Sequence, residues 1–321
     1  MVYEAMVSRT SFAYGPVPSR RLGLSLGVDP VAAKSCPYDC LYCQLGPTLA
    51  PTAERREFYP VRDIVADVTR KLERGPRPDH ITLGGSGEPT LHAGLGEIIR
   101  SIKAATDVPV ALLTGGALLH DPTVRAEAAL ADVILPSLDA GDEELFALVN
   151  RPGPSLPFAT MMEGLVALRR EYAGPMWLEV MMLAGLSETP ARLAALAAQV
   201  QRIRPDRVQL NTPVRPAKSP LARPIPADRL AALCAAFTPH AEVIADFEKG
   251  VGSHFPETAP DPVSVSREIL VVLERRPCTV EDLAASLGLS KEGVRAALDA
   301  LVAQGAVVTA PHQGRTYYRL A

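Results

Sequence analysis

The sequence has little cysteine, little lysine and no long apolar run. Five cysteines in 321 residues are too few, and too unevenly placed, for a disulfide framework. No stretch approaches the roughly 20 apolar residues of a membrane-spanning helix, so no membrane association is expected. The opening M-V-Y-E-A-M-V-S-R-T lacks a basic region followed by an apolar one, so no secretory signal is expected and the reducing cytoplasm is the expected location. A net charge of −3 provides no global basic field, so any nucleic-acid contact must rest on a local patch. Only six lysines are present, which leaves few amines for covalent chemistry.

Hydrophobic residues make up 47% of the chain and charged ones 21%, ordinary values for a globular protein. Short runs rich in Val, Ile and Leu alternate with segments of helical period. The runs fall at 22–29, 80–85, 109–115, 133–139, 177–183 and 207–211. Six such strand and helix pairs predict βαβ units and a parallel sheet, an α/β fold. Functional residues are then expected just beyond the C-terminal strand ends. The segment 211–226, N-T-P-V-R-P-A-K-S-P-L-A-R-P-I-P, carries five prolines and reads as a stiff loop at that functional end, a wall or lid over a site or a plain connection.

At F-P-E-T-A-P-D-P (255–262) the apolar period stops. We place a linker there, between a large domain over 1–254 and a small one over 263–321. The small domain reads as three helices and a β-ribbon, a winged helix with its helix-turn-helix centred on Leu287 to Ser290. From 262 to 321 there are seven Lys and Arg against six Asp and Glu, short of the uncompensated cations that phosphate-driven binding needs. The wing mixes Arg315 and Arg319 with Tyr317 and Tyr318, aromatics expected to stack on bases. A protein-docking or substrate-covering module is the alternative.

The cysteines that remain informative lie in K-S-C-P-Y-D-C-L-Y-C-Q-L-G, at Cys36, Cys40 and Cys43, directly after the first predicted strand. A closed zinc site needs four ligands, and no second pair or nearby histidine exists. A redox dithiol needs only C-x-x-C and leaves Cys36 unexplained. An iron–sulfur cluster on three thiolates leaves one iron without a protein ligand, open to a substrate or cofactor. Cys234 and Cys278 sit in apolar or boundary contexts and read as structural.

This C-x-x-x-C-x-x-C spacing, with Tyr42 before the third cysteine, resembles the signature of the radical S-adenosylmethionine (SAM) superfamily. The resemblance implies a partial (β/α)6 TIM-like barrel and a [4Fe-4S] cluster on Cys36, Cys40 and Cys43. It further implies S-adenosyl-L-methionine bound to the open iron and cleaved reductively to a 5′-deoxyadenosyl radical that abstracts hydrogen from a substrate. G-G-S-G-E-P-T (84–90) resembles the superfamily's segment for the methionine amino group, with Gly84 and Gly85 allowing close approach and Glu88 facing the ammonium. The resemblance also places cofactor contacts on Tyr42, Ser137, Asp139 and Asn211, and loosely on M-M-L-A-G-L-S-E (181–188) near the adenine. Where relatives carry T-N-G, this chain has Gly115 in place of asparagine, so no side-chain amide contact carries over there.

Y-G-P-V-P-S-R-R-L-G-L-S-L-G-V-D (14–29) with the cysteine loop resembles a branch of iron–sulfur oxidoreductases grouped with the wyosine-forming tRNA enzymes. Those enzymes hold a second cluster on upstream cysteines. None precedes Cys36 here, which argues against their specific reaction. A pyruvate-binding amine would come from Lys34, Lys218 or Lys249. Arg20 and Arg21 are expected to bind a phosphate or carboxylate. The reading is thus a radical SAM enzyme acting on an RNA, a nucleobase or a protein, fed by a low-potential donor such as flavodoxin or ferredoxin. The alternative is an iron–sulfur regulator whose winged helix binds DNA. No catalytic residue is identified from sequence.

Overall fold

The computed structural model describes residues 11–245 and 262–321. Strands β1 (Ala13–Ser19) and β2 (Gly23–Val28) form an antiparallel hairpin. Gly23 turns it at φ +66°, and a Cβ there would lie 2.2 Å from the Asp79 carboxylate, which accepts from the backbone N–H of Leu24. Sequence periodicity does not reveal β1, because its prolines break the alternation. The register shifts between Tyr14 and Val17, and an edge strand with a bulge tolerates proline.

From β2 the sheet continues in parallel through β3 (His80–Leu83), β4 (Val110–Thr114) and β5 (Val133–Pro136). A second parallel group holds β6 (Trp177–Met181), β7 (Arg207–Asn211) and the two-residue β8 (Glu242–Val243). Bridges Ile134↔Met176 and Ser137↔Glu179 join β5 to β6, so the two groups make one open sheet. The six expected parallel strands are present, with a short seventh beyond them.

Helices α1 (Val61–Arg74), α2 (Leu95–Ala105), α3 (Pro122–Ala128), α4 (Glu143–Val149), α5 (Phe158–Glu171), α6 (Pro190–Ile203) and α7 (Ala227–Leu233) lie between the strands. Strand alternation sorts the faces. Val110 and Leu112 join the main core with Ile98, Ile102 and Leu165 from the helices. Ala111 and Leu113 face the other way, into a small cluster with Leu22, Val133, Leu135 and Trp177. That concave face also carries Ser25 and Thr82, whose hydroxyls bond at 2.5 Å. The helix side is therefore continuous and apolar, and the concave side is left for polar chemistry. Side chains of Asp121, Asp142 and Thr189 cap α3, α4 and α6, each worth about 0.5–2 kcal/mol.

Residues 255–261 of the predicted linker lie outside the described residues, and Pro262 begins α8 (Pro262–Leu273). Helices α9 (Val280–Leu287) and α10 (Lys291–Ala303) follow, then β9 (Val307–His312) and β10 (Arg315–Leu320), antiparallel. This is the winged helix read from sequence. Gly288 ends α9 in the left-handed region at φ +66° and Ser290 caps α10, so the turn lies where the sequence put it. Ile269, Val272, Leu283, Val294, Leu298 and Tyr318 give this domain its own core. Among the described residues no helix is long and apolar enough to cross a membrane.

Candidate cluster and cofactor site

The loop after β2 carries the three cysteines, and neighbouring chain pins it from several sides. Leu41 N–H donates to Val149 O, Thr52 N–H to Cys36 O, Lys218 N–H to Cys43 O and Ser219 N–H to Leu41 O, all between 2.9 and 3.2 Å. Lys218 also pairs with the Asp39 carboxylate. The proline-rich segment after β7 is thus fastened to the cysteine loop, as a wall rather than a plain connection.

Each thiol has one nitrogen donor. Tyr38 N–H approaches Cys36 Sγ at 3.5 Å, Asn150 Nδ2 approaches Cys40 Sγ at 3.6 Å, and Lys34 Nζ donates to Cys43 Sγ at 3.1 Å. Burial, reinforced by the charge of Glu88, pushes the Cys36 thiol up to about 12. Burial and the nearby Cys36 also raise Cys40. Thiols so placed ionise when a cation binds them, because a metal's charge reverses the local balance. Among the described residues no trio of His, Cys, Asp or Glu is grouped to hold a single metal ion. Three separated thiols with N–H donors fit a multi-iron cluster, whose potential such donors tune.

The glycine segment after β3 lies against this loop. Lys34 N–H donates to Ser86 O at 2.7 Å and Glu88 N–H to Ser35 O at 2.8 Å. Glycine is required for that approach: a Cβ at Gly87 would lie 2.5 Å from Ser35 O, and one at Gly85, with φ +141°, 2.2 Å from Asp29 Oδ1. Gly84, at φ +148°, precedes it. The Glu88 carboxylate is buried. Its Oε1 accepts from Thr90 N–H and from the hydroxyls of Thr90 and Thr114, and its Oε2 accepts from Gly115 N–H at 2.7 Å. Burial raises its pKa, and these donors offset only part of the rise. Oε2, with one donor, keeps capacity for an ammonium. A Cβ at Gly115 would sit 3.0 Å from the Tyr38 ring, a tight contact that the ring would have to yield to.

Asp139, beyond β5, binds protein groups. It accepts from Tyr42 OH, from Asn150 Nδ2 at 2.7 Å and from Met181 N–H at 2.9 Å. Burial lifts it to about 6. Tyr42 and Asp139 are therefore brought together beneath the cysteine loop, with Ser137 at the adjacent end of β5. Asn211 lies apart from this group. Its Nδ2 donates to Glu179 Oε1 at 2.7 Å and its Oδ1 accepts from Arg20 Nη1 at 3.0 Å. Arg21 pairs with the same Glu179, so for Arg21 the expected carboxylate is the protein's own. In the 181–188 stretch, Ser187 Oγ accepts from Leu183 N–H, and Glu188 closes on Gly185 N–H and Arg229. Lys34 and Lys218 are engaged as described, and Lys249 lies outside the described residues.

Sequence reasoning missed Asn150, which joins Asp139 to Cys40, and Asp29, which accepts from Ser86 N–H at 2.9 Å. Asp29 directly follows β2, and that position just beyond a strand end was the available signal. For Asn150 there was none. The expected stacking surface of the wing is corrected: Tyr317 and Tyr318 are buried. Tyr318 packs in the winged-helix core, and Tyr317 OH donates to Val214 O at 3.0 Å.

An open parallel barrel with three thiols beyond its first parallel strand and a glycine segment beyond the next defines a cofactor-dependent α/β enzyme scaffold. Residues 32–198 match the Radical SAM superfamily and residues 267–316 the MarR family. The chain belongs to the radical SAM superfamily, whose enzymes use a [4Fe-4S] cluster and S-adenosylmethionine. It is 30% identical over 311 residues to the UPF0026 protein MJ1312 of Methanocaldococcus jannaschii, covering 96% of this chain and 95% of that one. It is 34% identical over 300 residues to a protein named GTPase Obg of Brachyspira hyodysenteriae, and spans 44% of that relative's length. A radical SAM methyltransferase from Sphaerobacter thermophilus shares the fold, with a TM-score of 0.51 and 17% identity over 70% of this chain and 67% of that one.

Proposed function

We propose that Cys36, Cys40 and Cys43 hold the [4Fe-4S] cluster, that Gly84, Gly85 and Glu88 receive the methionine end of S-adenosylmethionine, and that the substrate is an RNA or nucleobase. The observation that carries this reading is the pair of backbone bonds, Lys34 N–H to Ser86 O and Glu88 N–H to Ser35 O, which hold the thiol loop and the Glu88 carboxylate side by side. Held there, the cluster would supply one-electron reductive chemistry to S-adenosylmethionine. The chain's own groups orient and shield. Tyr38 N–H, Asn150 and Lys34 donate to the thiol sulfurs. Glu88 presents Oε2 to an ammonium. Asp139 fixes Tyr42 beneath the loop, and the segment carrying Lys218 and Ser219 covers one side against water. Ser137 and Asn211, at the ends of β5 and β7, are assigned to the far end of the cofactor, and Asn211 must exchange its bond to Arg20 to serve there. A low-potential flavodoxin or ferredoxin in a reducing cytoplasm supplies the electron.

The regulator alternative is less well supported. The wing is seated on the large domain through Tyr317, and exposed Lys291 and Arg295 share α10 with Glu292 and Asp299. The test is anaerobic reconstitution with iron and sulfide, then dithionite and S-adenosylmethionine. Formation of 5′-deoxyadenosine is expected, and its absence from a preparation carrying a full cluster would overturn the enzyme reading.

A further inference from the structure

Between the large domain and the winged helix lies a cleft of about 1370 Å³. Its described lining holds six cationic side chains, Arg20, Arg215, Arg276, Lys291, Arg295 and Arg315, and two carboxylates, Glu281 and Asp282. This concentration stands out in a chain of net charge −3. Three of the arginines form the floor, Arg20 exposed and Arg215 and Arg276 half-buried. Arg20 bonds neutral acceptors, Asn211 Oδ1 and Ile244 O. Arg215 reaches Asp282 only at 4.0 Å. Arg276 touches Ser286 Oγ at 3.5 Å, and its buried Nε has no partner among the described residues. Burial, then the charge of Arg276, lowers Arg215, whereas against burial the charges of Cys278 and Asp282 hold Arg276 above its ordinary value. Like charges gathered in one cleft repel one another, and a bound anion offsets that repulsion.

We propose that this cleft binds the phosphate backbone of a single-stranded polynucleotide, one phosphate on the Arg20, Arg215 and Arg276 floor and its neighbours along Lys291, Arg295 and Arg315 at the rim. Planar guanidiniums suit phosphate oxygens. The volume exceeds the roughly 300–1,000 Å³ of ordinary small-ligand pockets, and the cations are strung from floor to rim, which suits several phosphates in series. A duplex fits poorly, because the wing is held on the large domain by Tyr317. Both tyrosines of the wing are buried, so recognition is through the backbone and nearly indifferent to sequence. The cleft also communicates with the barrel: Arg20 bonds Asn211, which bonds Glu179 on β6.

This inference rests on the reading of the protein as an enzyme acting on nucleic acid, and its test is separable from that reading. Fluorescence polarisation with the full-length, cluster-loaded protein would use a labelled single-stranded RNA, the DNA strand of the same sequence, and their duplex. Single strands are expected to bind, more weakly as salt rises. Arg215→Ala and Arg276→Ala are each expected to weaken binding at least about tenfold. The exposed rim variants Lys291→Ala and Arg295→Ala, which leave the three floor arginines intact, are expected to lower the salt dependence by about one counterion each. Arg62→Ala, on the exposed face of α1, is the unchanged control. A preference for RNA or for DNA identifies the source of the strand. Tighter binding of duplex, no binding of either strand, or rim and floor variants that bind like the parent would each overturn the proposal. Formation of 5′-deoxyadenosine is scored separately: cofactor cleavage without strand binding sinks the cleft alone, and strand binding without cleavage sinks the enzyme reading alone.

Discussion

Arg275 Nε lies 2.6 Å from Asp29 Oδ2, with both side chains at most 2% exposed. The bond ties the segment after α8 of the winged helix to the residue directly after β2. The other Asp29 oxygen accepts from Ser86 N–H in the glycine segment, so one carboxylate connects the small domain to the cofactor site. The guanidinium also lies over the Tyr14 ring at 4.6 Å and donates to Ser11 O. Removing one partner leaves the other charge buried and unpaired. Arg275→Met is expected to cost about 3–5 kcal/mol in urea unfolding, and Asp29→Asn combined with it to recover a large part, since loss of both charges removes the desolvation penalty. Additive losses in the double variant would refute a coupled pair.

Cluster assembly should depend on three of the five cysteines. After reconstitution, the parent is expected to carry about four irons and Cys36→Ala, Cys40→Ala or Cys43→Ala well under half of that, by iron and sulfide assay. Cys234→Ser and Cys278→Ser are expected to keep the cluster, since both are buried in the packing of their own domains. Loss of iron in either of these two, with folding intact by circular dichroism, would mean that the ligand assignment is wrong.

Glu88 is the carboxylate assigned to the cofactor's ammonium. Glu88→Gln keeps the shape and an acceptor for Thr90 and Thr114 but removes the charge, and its new NH2 faces the Gly115 N–H that Oε2 accepts. A charge-assisted bond contributes about 1.5–3 kcal/mol, so affinity for S-adenosylmethionine by equilibrium dialysis is expected to fall by about one to two orders of magnitude, with the iron content unchanged. An unchanged affinity would move the ammonium elsewhere.

Local chemistry was legible in the sequence, and long-range pairing was not. The run V-A-L-L-T was readable as β4 because strand alternation sends Val110 and Leu112 to the helix side. The cysteine triplet and the glycine segment were equally plain, since each works within a few residues. Asn150 with Cys40, Arg20 with Asn211, and Arg275 with Asp29 are 110, 191 and 246 residues apart, and no local spacing encodes such contacts. The tyrosines of the wing show the same limit. Both read from sequence as base-stacking aromatics, although adjacent residues of a strand face opposite sides and Tyr318 packs in the winged-helix core. Docking on Val214 buries Tyr317.

Asp67, on α1, secures the beginning of β1. Its carboxylate accepts from the N–H groups of Phe12 and Ala13 at 2.6 and 2.9 Å, from Ser11 Oγ at 2.9 Å and from Arg70. Burial raises its pKa, but these donors outweigh burial and the net shift is downward. A carboxyl with a depressed folded pKa contributes stability that is complete above its unfolded value near 3.9 and is lost as the pH falls through the folded value. Ser11 Oγ and the two N–H groups converge on Oδ2 and Arg70 on Oδ1, so Asp67→Asn keeps an oxygen for the three but loses the charge that strengthens their bonds. It should cost about 1–3 kcal/mol at neutral pH through that loss, with the exposed Arg70 contributing little. The gap in thermal midpoint between parent and variant is expected to narrow as the pH is lowered below about 4, because the parent loses its carboxylate there and the amide has none to lose. Thermal scans across acidic pH decide the matter. A gap that stays constant would assign the stability to shape and packing at this position and not to the ionised carboxylate.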